Sequence, residues 1–101
     1  MISVEDNIGE MDNNGYTPLI MASFGGHLEV VKYLITVEAD REAKDNNDNT
    51  PLLKELENGQ LKVVKFLIAV GADKEAKNNQ GRTAWDVATS DVRKYMTSIR
   101  T

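Results

Sequence analysis

Residues 17–49 return almost intact as residues 50–82, with 17 of 33 positions identical and no gaps. A third copy opens at Thr83 as TAWDVA, again 33 residues on. A chain that repeats at a fixed period of this length folds as one supersecondary unit stacked on copies of itself, each unit burying apolar surface against its neighbours. Function is then to be sought on the surface of the stack rather than in a central pocket.

Length and composition set outer bounds on that stack. At 101 residues, with 41% hydrophobic and 28% charged residues, the chain has the size of one globular domain. Its net charge of -4 argues against a nucleic-acid or anionic-membrane partner, because phosphate binding needs clustered Lys and Arg. Lys32, Lys44, Lys65 and Lys77 recur at the period among Glu29, Glu42, Asp45 and Glu75, which reads as a solvated face. There is no cysteine, so disulfides, thiolate metal sites and a cysteine nucleophile are excluded. The N-terminus MISVEDNIGE lacks the basic flank and apolar core of a secretory leader. The expected location is therefore intracellular, cytoplasmic with the nucleus left open.

Taken in order, residues 1–16 read as an incomplete unit, since Val4, Glu10 and Asp12 fall one period before Val37, Ala43 and Asp45. Asn14-Gly15 then signals a turn. Thr17-Pro18 and Thr50-Pro51 start helices: the threonine hydroxyl can accept from an orphan N–H, and proline at the first helical position has none to satisfy. These first helices end at Gly25-Gly26 and at Asn58-Gly59. Second helices follow, with Val30, Val31, Leu34 and Ile35 on one and Val63, Val64, Leu67 and Ile68 on the other making a broad apolar face expected to be buried. Gly71 closes the later of these helices, but Glu38 stands in its place in unit one, and Asp48 stands where Gly15 and Gly81 stand. If those positions are left-handed, unit one loses about 1 kcal/mol at Glu38 and frays more readily. Residues 83–101 form a shortened last unit, whose Arg93, Lys94, Ser98 and Arg100 suit a cap with one face in water. Trp85, at the register of Leu19 and Leu52, is expected in the core.

The motifs TPLI and TPLL, then GHLEVVKYL and GQLKVVKFL, then AD before an asparagine-rich turn, resemble ankyrin repeats over about residues 4–99. The resemblance implies an all-α repeat, an α-solenoid in which helix-turn-helix units are joined by β-turn fingers. It implies one domain over residues 1–101, with a partial unit 1–16, repeats 17–49 and 50–82, and a truncated capping repeat 83–101. It also implies a protein-binding surface made of finger tips and first helices. The chain departs from the family in having Ile20 and Leu53 where a histidine is usual. It departs again at Glu55, where the family and unit one have a small residue, Ala22 here. A glutamate there is costly if buried and unpaired, so Glu55 is expected to lean to solvent or to meet Lys54 or another lysine, with a local misfit as the remaining outcome.

No catalytic constellation appears. His27, the only histidine, opens a second helix and reads as a turn contact, with Gln60 at the same place one unit later. No second histidine pairs with it as a metal ligand. Asp45 and Asp48 share one turn and could hold calcium weakly, but lack the glycine and glutamate spacing of the helix-loop-helix calcium motif. No catalytic residue, cofactor or metal is expected.

What remains is surface. The period places Asn13, Asn14 and Tyr16 on a first finger, Asn46, Asn47 and Asn49 on a second, and Asn79, Gln80 and Arg82 on a third. The first helices add Met21 and Phe24, and then Lys54 and Glu57, which differ most between copies. Divergence there suits recognition, with Tyr16, Met21 and Phe24 as anchors, although drift on solvated positions leaves the same pattern. The leading expectation is a non-catalytic protein-binding module. The alternative is a truncated or engineered scaffold with no partner of its own, which pairs as a homodimer through an N-terminal face that no helical cap covers.

Overall fold

The computed structural model describes residues 10–58 and 60–99. The expectations placed on Val4, on the Gly59 cap and on Arg100 lie outside those residues. Six helices follow one another among the described residues: α1 Pro18–Phe24, α2 Leu28–Thr36, α3 Pro51–Asn58, α4 Leu61–Ala69, α5 Ala84–Val87 and α6 Ser90–Ser98. No strand occurs among the described residues.

The Thr-Pro signals start helices as read. Thr17 Oγ1 accepts from the Ile20 N–H at 3.2 Å, and Thr50 Oγ1 from the Leu53 N–H at 3.3 Å. In the last unit the Asp86 carboxylate reaches back instead, accepting from the Thr83 N–H at 2.9 Å, so that α5 is held although it is only 4 residues long. That bond holds the Asp86 carboxyl below the usual carboxylate range. The loss of residues from this turn sends Ala88 into an extended conformation before α6 begins.

The ends of the second helices carry the strain expected of them. After α2 the Ala39 N–H reaches the Leu34 carbonyl at 2.9 Å, which requires the intervening Glu38 to turn left-handed, at φ 67°. After α4 the same bond, from Ala72 to Leu67 at 3.0 Å, is closed by Gly71 at φ 95°. Asp48 likewise sits at φ 62°, matching Gly15 and Gly81 at φ 79° and 76°.

The largest contact is α1 on α3, followed by the pairs within units, α1 on α2 and α3 on α4, and then by α3 on α5, while α2, α4 and α6 form the second layer. The core threads through Leu19, Val31, Leu34, Leu52, Leu53, Val63, Val64, Leu67, Val92 and Met96. Three expectations need correction. Val30 is 50% exposed while its counterpart Val63 is 0% exposed, because Val63 faces unit one and Val30 faces outward from it. Trp85 is half-buried, since no described unit covers it, and its indole N–H donates to Glu75 at 3.2 Å. Glu55 neither leans to solvent nor meets Lys54; it is wholly buried, for its helix is enclosed by α1, α4 and α5. On α6, Arg93 and Thr97 replace the buried Val64 and Ile68 with exposed polar groups. The Arg93 guanidinium also donates to the Trp85 and Asp86 carbonyls at 2.9 and 3.3 Å.

A Cβ at Gly71 would meet only Arg41, at 3.6 Å, so the difference between units at this position is the left-handed backbone itself. Glu38→Gly should therefore raise stability by about 1 kcal/mol and Gly71→Glu lower it by a similar amount. Denaturant midpoints of the two variants check this, and equal midpoints would contradict it.

Candidate partner-binding surface

The fingers are built on one side chain per unit, at Asp12, Asp45 and Asn78, each one period apart. Asp12 Oδ1 accepts from the Asn14 and Tyr16 N–H groups, both at 2.9 Å. Asp45 Oδ1 accepts from Asn47 and Asn49 at 2.8 and 2.9 Å, and Asn78 Oδ1 from Gln80 and Arg82 at 2.9 and 3.1 Å. Each carboxylate or carboxamide thus does the work of a missing backbone acceptor and bends the chain into a tip. Neighbouring tips are then tied together. The Asn46 N–H donates to the Asn14 carbonyl at 2.9 Å, and the Asn79 N–H to the Asn47 carbonyl at 3.0 Å.

Asn13, Asn14, Asn46, Asn47, Asn79, Gln80 and Arg82 are all exposed along this row. Asn49 is not: it is buried, and its side-chain Oδ1 accepts from the Asn78 side-chain amide at 3.1 Å, which makes it a tie between fingers. Asn46 is exposed but partly committed, since its amide donates to the Asn13 carbonyl at 2.9 Å. Asp45, weighed as a calcium ligand, spends one oxygen on the turn and is itself buried. Among the described residues no group of three or more His, Asp or Glu is placed to hold a metal ion.

On the first helices, Met21 and Phe24 are 47% and 39% exposed. Lys54 is only 8% exposed, with its ammonium 5.1 Å from the Tyr16 ring centre, 5.1 Å from that of Phe24 and 3.2 Å from a Glu57 oxygen. Burial by itself pulls this ammonium down; hydrogen bonding to Tyr16 and the Glu57 carboxylate outweigh that and hold its pKa above the ordinary lysine value. Lys54 is therefore a clamp between units one and two rather than a contact for a partner. Only Glu57 of that pair is exposed.

The fold brings part of the expected set together. Asn47, Asn49, Lys54, Glu57, Asn78, Asn79 and Gln80 line one depression of about 520 Å³ between the second and third fingers and α3. Asn13, Asn14, Tyr16, Met21, Phe24, Asn46 and Arg82 lie outside it. His27 begins α2 and Gln60 begins α4 without a side-chain capping bond; the His27 ring lies against Gly25 and the Gln60 side-chain amide against Gly26. The turn-forming role of Asp and Asn side chains is legible in the finger runs that hold Asp45 and Asn78, and Asp12 falls one period before Asp45.

Asp45→Ala should cost about 1–3 kcal/mol, because it leaves two N–H groups of the finger without their acceptor. Asp45→Asn should be tolerated, as Asn78 does the same task one unit later. Asn47→Ala, which removes an exposed side chain, should stay within about 0.5 kcal/mol. Denaturant unfolding of the three variants orders them, and an Asp45→Ala midpoint equal to that of Asn47→Ala would contradict this account.

A family model for ankyrin repeats (3 copies) matches residues 1–78. No curated protein matches the chain.

Proposed function

The chain belongs to the ankyrin-repeat family, and from that premise we propose that it is a non-catalytic module that captures a partner protein on its finger tips and first helices. Ankyrin repeats are generally protein–protein interaction modules. In this reading residues 1–101 act as one stack, with a partial first unit, two full repeats and a truncated capping repeat over 83–101.

The observation that carries the reading is the continuity of one polar, nearly uncharged row. Asn13 and Asn14, Asn46 and Asn47, and Asn79 and Gln80 lie on fingers bonded to one another, and the row opens into the depression beside Glu57. Side-chain amides both donate and accept, so such a row suits the backbone and polar groups of a protein. Met21, Phe24 and the half-buried Tyr16 supply the apolar and aromatic area where contact energy concentrates. Lys54 and Asn49 support the surface from below, and Arg82 extends its edge. A net charge of -4 favours neither nucleic acid nor an anionic membrane as partner. No helix among the described residues is long and apolar enough to cross a membrane. The cysteine-free composition fits a module working inside the cell, in cytoplasm or nucleus.

A second reading is favoured by one specific contrast. Val30 and Met21 are half exposed where their counterparts in unit two, Val63 and Lys54, are buried against unit one. A second copy of the chain pairing there would cover them.

Light scattering on a concentration series separates the readings. The module should be a monomer at all concentrations, whereas a dimer dissolved by Met21→Ser/Phe24→Ser would transfer these side chains to self-association. For any protein retained by the immobilised chain, Phe24→Ser should weaken binding roughly 10-fold or more, the effect of losing a buried aromatic anchor. Retention unchanged by Phe24→Ser and by Asn47→Ala would take the surface out of the account.

A further inference from the structure

At the register where unit one has Ala22 and the last unit has Ala88, unit two has Glu55. Its helix, α3, is packed against α1, α4 and α5, and Glu55 is 0% exposed with neither carboxyl oxygen in a hydrogen bond. Ser23 on α1 is equally buried and its hydroxyl also lacks a partner. A carboxylic acid tolerates such a place far better than a carboxylate does, because only the latter must give up its full hydration.

We propose that Glu55 is a proton-operated joint in the stack: as the neutral acid it lets α3 seat against α1, and on ionising it drives the boundary between units one and two open. The charges around it do not relieve it. α1 carries no titratable side chain; α4 carries Lys62 and Lys65, both exposed, the latter placed 5.1 Å from the Tyr95 ring centre. α5 carries Asp86, which is bonded to the Thr83 N–H. On α3 itself Lys54 is already paired with Glu57. Burial accordingly pushes the Glu55 carboxyl up to about 7, opposed only by the backbone N–H of Gln60, which does not reach hydrogen-bond geometry with either oxygen.

The direction of the effect follows from linkage. The folded chain holds this proton more tightly than the unfolded chain does, so Glu55 burial is tolerated fully below pH 4.5 and destabilises progressively as pH rises to about 7. Over that interval the folded-to-unfolded ratio falls tenfold per pH unit, roughly 300-fold in all, and then levels off. Opening at this boundary would part the Lys54 ammonium from the Tyr16 ring on the first finger and the Phe24 ring on α1. The consequence for partner capture rests on the function proposed above: the surface would be assembled in mildly acidic surroundings and loosened in mildly alkaline ones.

The experiment is denaturant unfolding of the native chain, Glu55→Gln and Glu55→Ala at intervals from pH 5 to 9, with carbon-13 NMR titration of the Glu55 carboxyl in the native chain. The expected result is a native stability that falls relative to both variants by at least 10-fold in equilibrium constant between pH 5 and 8, with the carboxyl titrating near neutrality. Parallel stability curves, or a carboxyl that titrates in the ordinary range near 4–5, would overturn the joint. The NMR arm decides the matter even if neither variant folds. Failure of the binding reading looks different: no protein is retained by native chain or variant at any pH, while the stability curves still diverge.

Discussion

Every feature of this molecule depends on burial between neighbouring units. A pair of helices only 7 and 9 residues long, as α1 and α2 are, has too little internal contact to stand alone. Its apolar faces become a core only when the next pair closes over them, which is why α1 meets α3 more extensively than it meets its own partner α2. The fingers reinforce the same direction, since the Asn46 and Asn79 N–H groups donate across units to the carbonyls of Asn14 and Asn47. Stability therefore travels along the stack, and a fault at one boundary weakens the units on both sides of it.

The two ends of the stack show this constraint from opposite sides. At the carboxyl end Arg93 and Thr97 stand where Val64 and Ile68 stand inside, and Arg93 also satisfies the carbonyls of Trp85 and Asp86 at the end of α5. Unit one keeps interior-type residues on its outward side, so Val30 meets solvent in the place where Val63 meets a neighbour. Identical side chains thus have different surroundings because position in the array, not identity, decides burial.

That is also where the limit of the sequence lies. The period, the Thr-Pro helix starts and the left-handed backbone at Glu38 and Asp48 were all legible, because each is a local rule repeated in register. The finger row was legible as a row, since the turns repeat with the helices. The burial of Asn49 and the exposure of Val30 were not, because each depends on the adjacent unit rather than on the residue's own repeat. Trp85 failed the register argument for the same reason: a position that is core in units one and two is an edge where no described unit lies beyond it.

Lys54 and Glu55 expose a weakness in reasoning from divergence between copies. Both differ between units one and two; the pattern alone reads the difference at Lys54 as recognition and the one at Glu55 as a side chain leaning to solvent or meeting a lysine. Yet Lys54 is held between the Tyr16 and Phe24 rings, and Glu55 has no exposed surface. The rings of unit one and the lysine of unit two complement each other, so divergence here includes the fitting of one particular neighbour to another. Met21, at the Lys54 register but with no described unit before it, is free to face outward. A recognition surface on such a stack is consequently narrower than the set of variable positions. It consists of the variable positions that no adjacent unit has already claimed, which on these fingers and first helices leaves the exposed amides, Glu57, Met21 and the outer edge of Phe24.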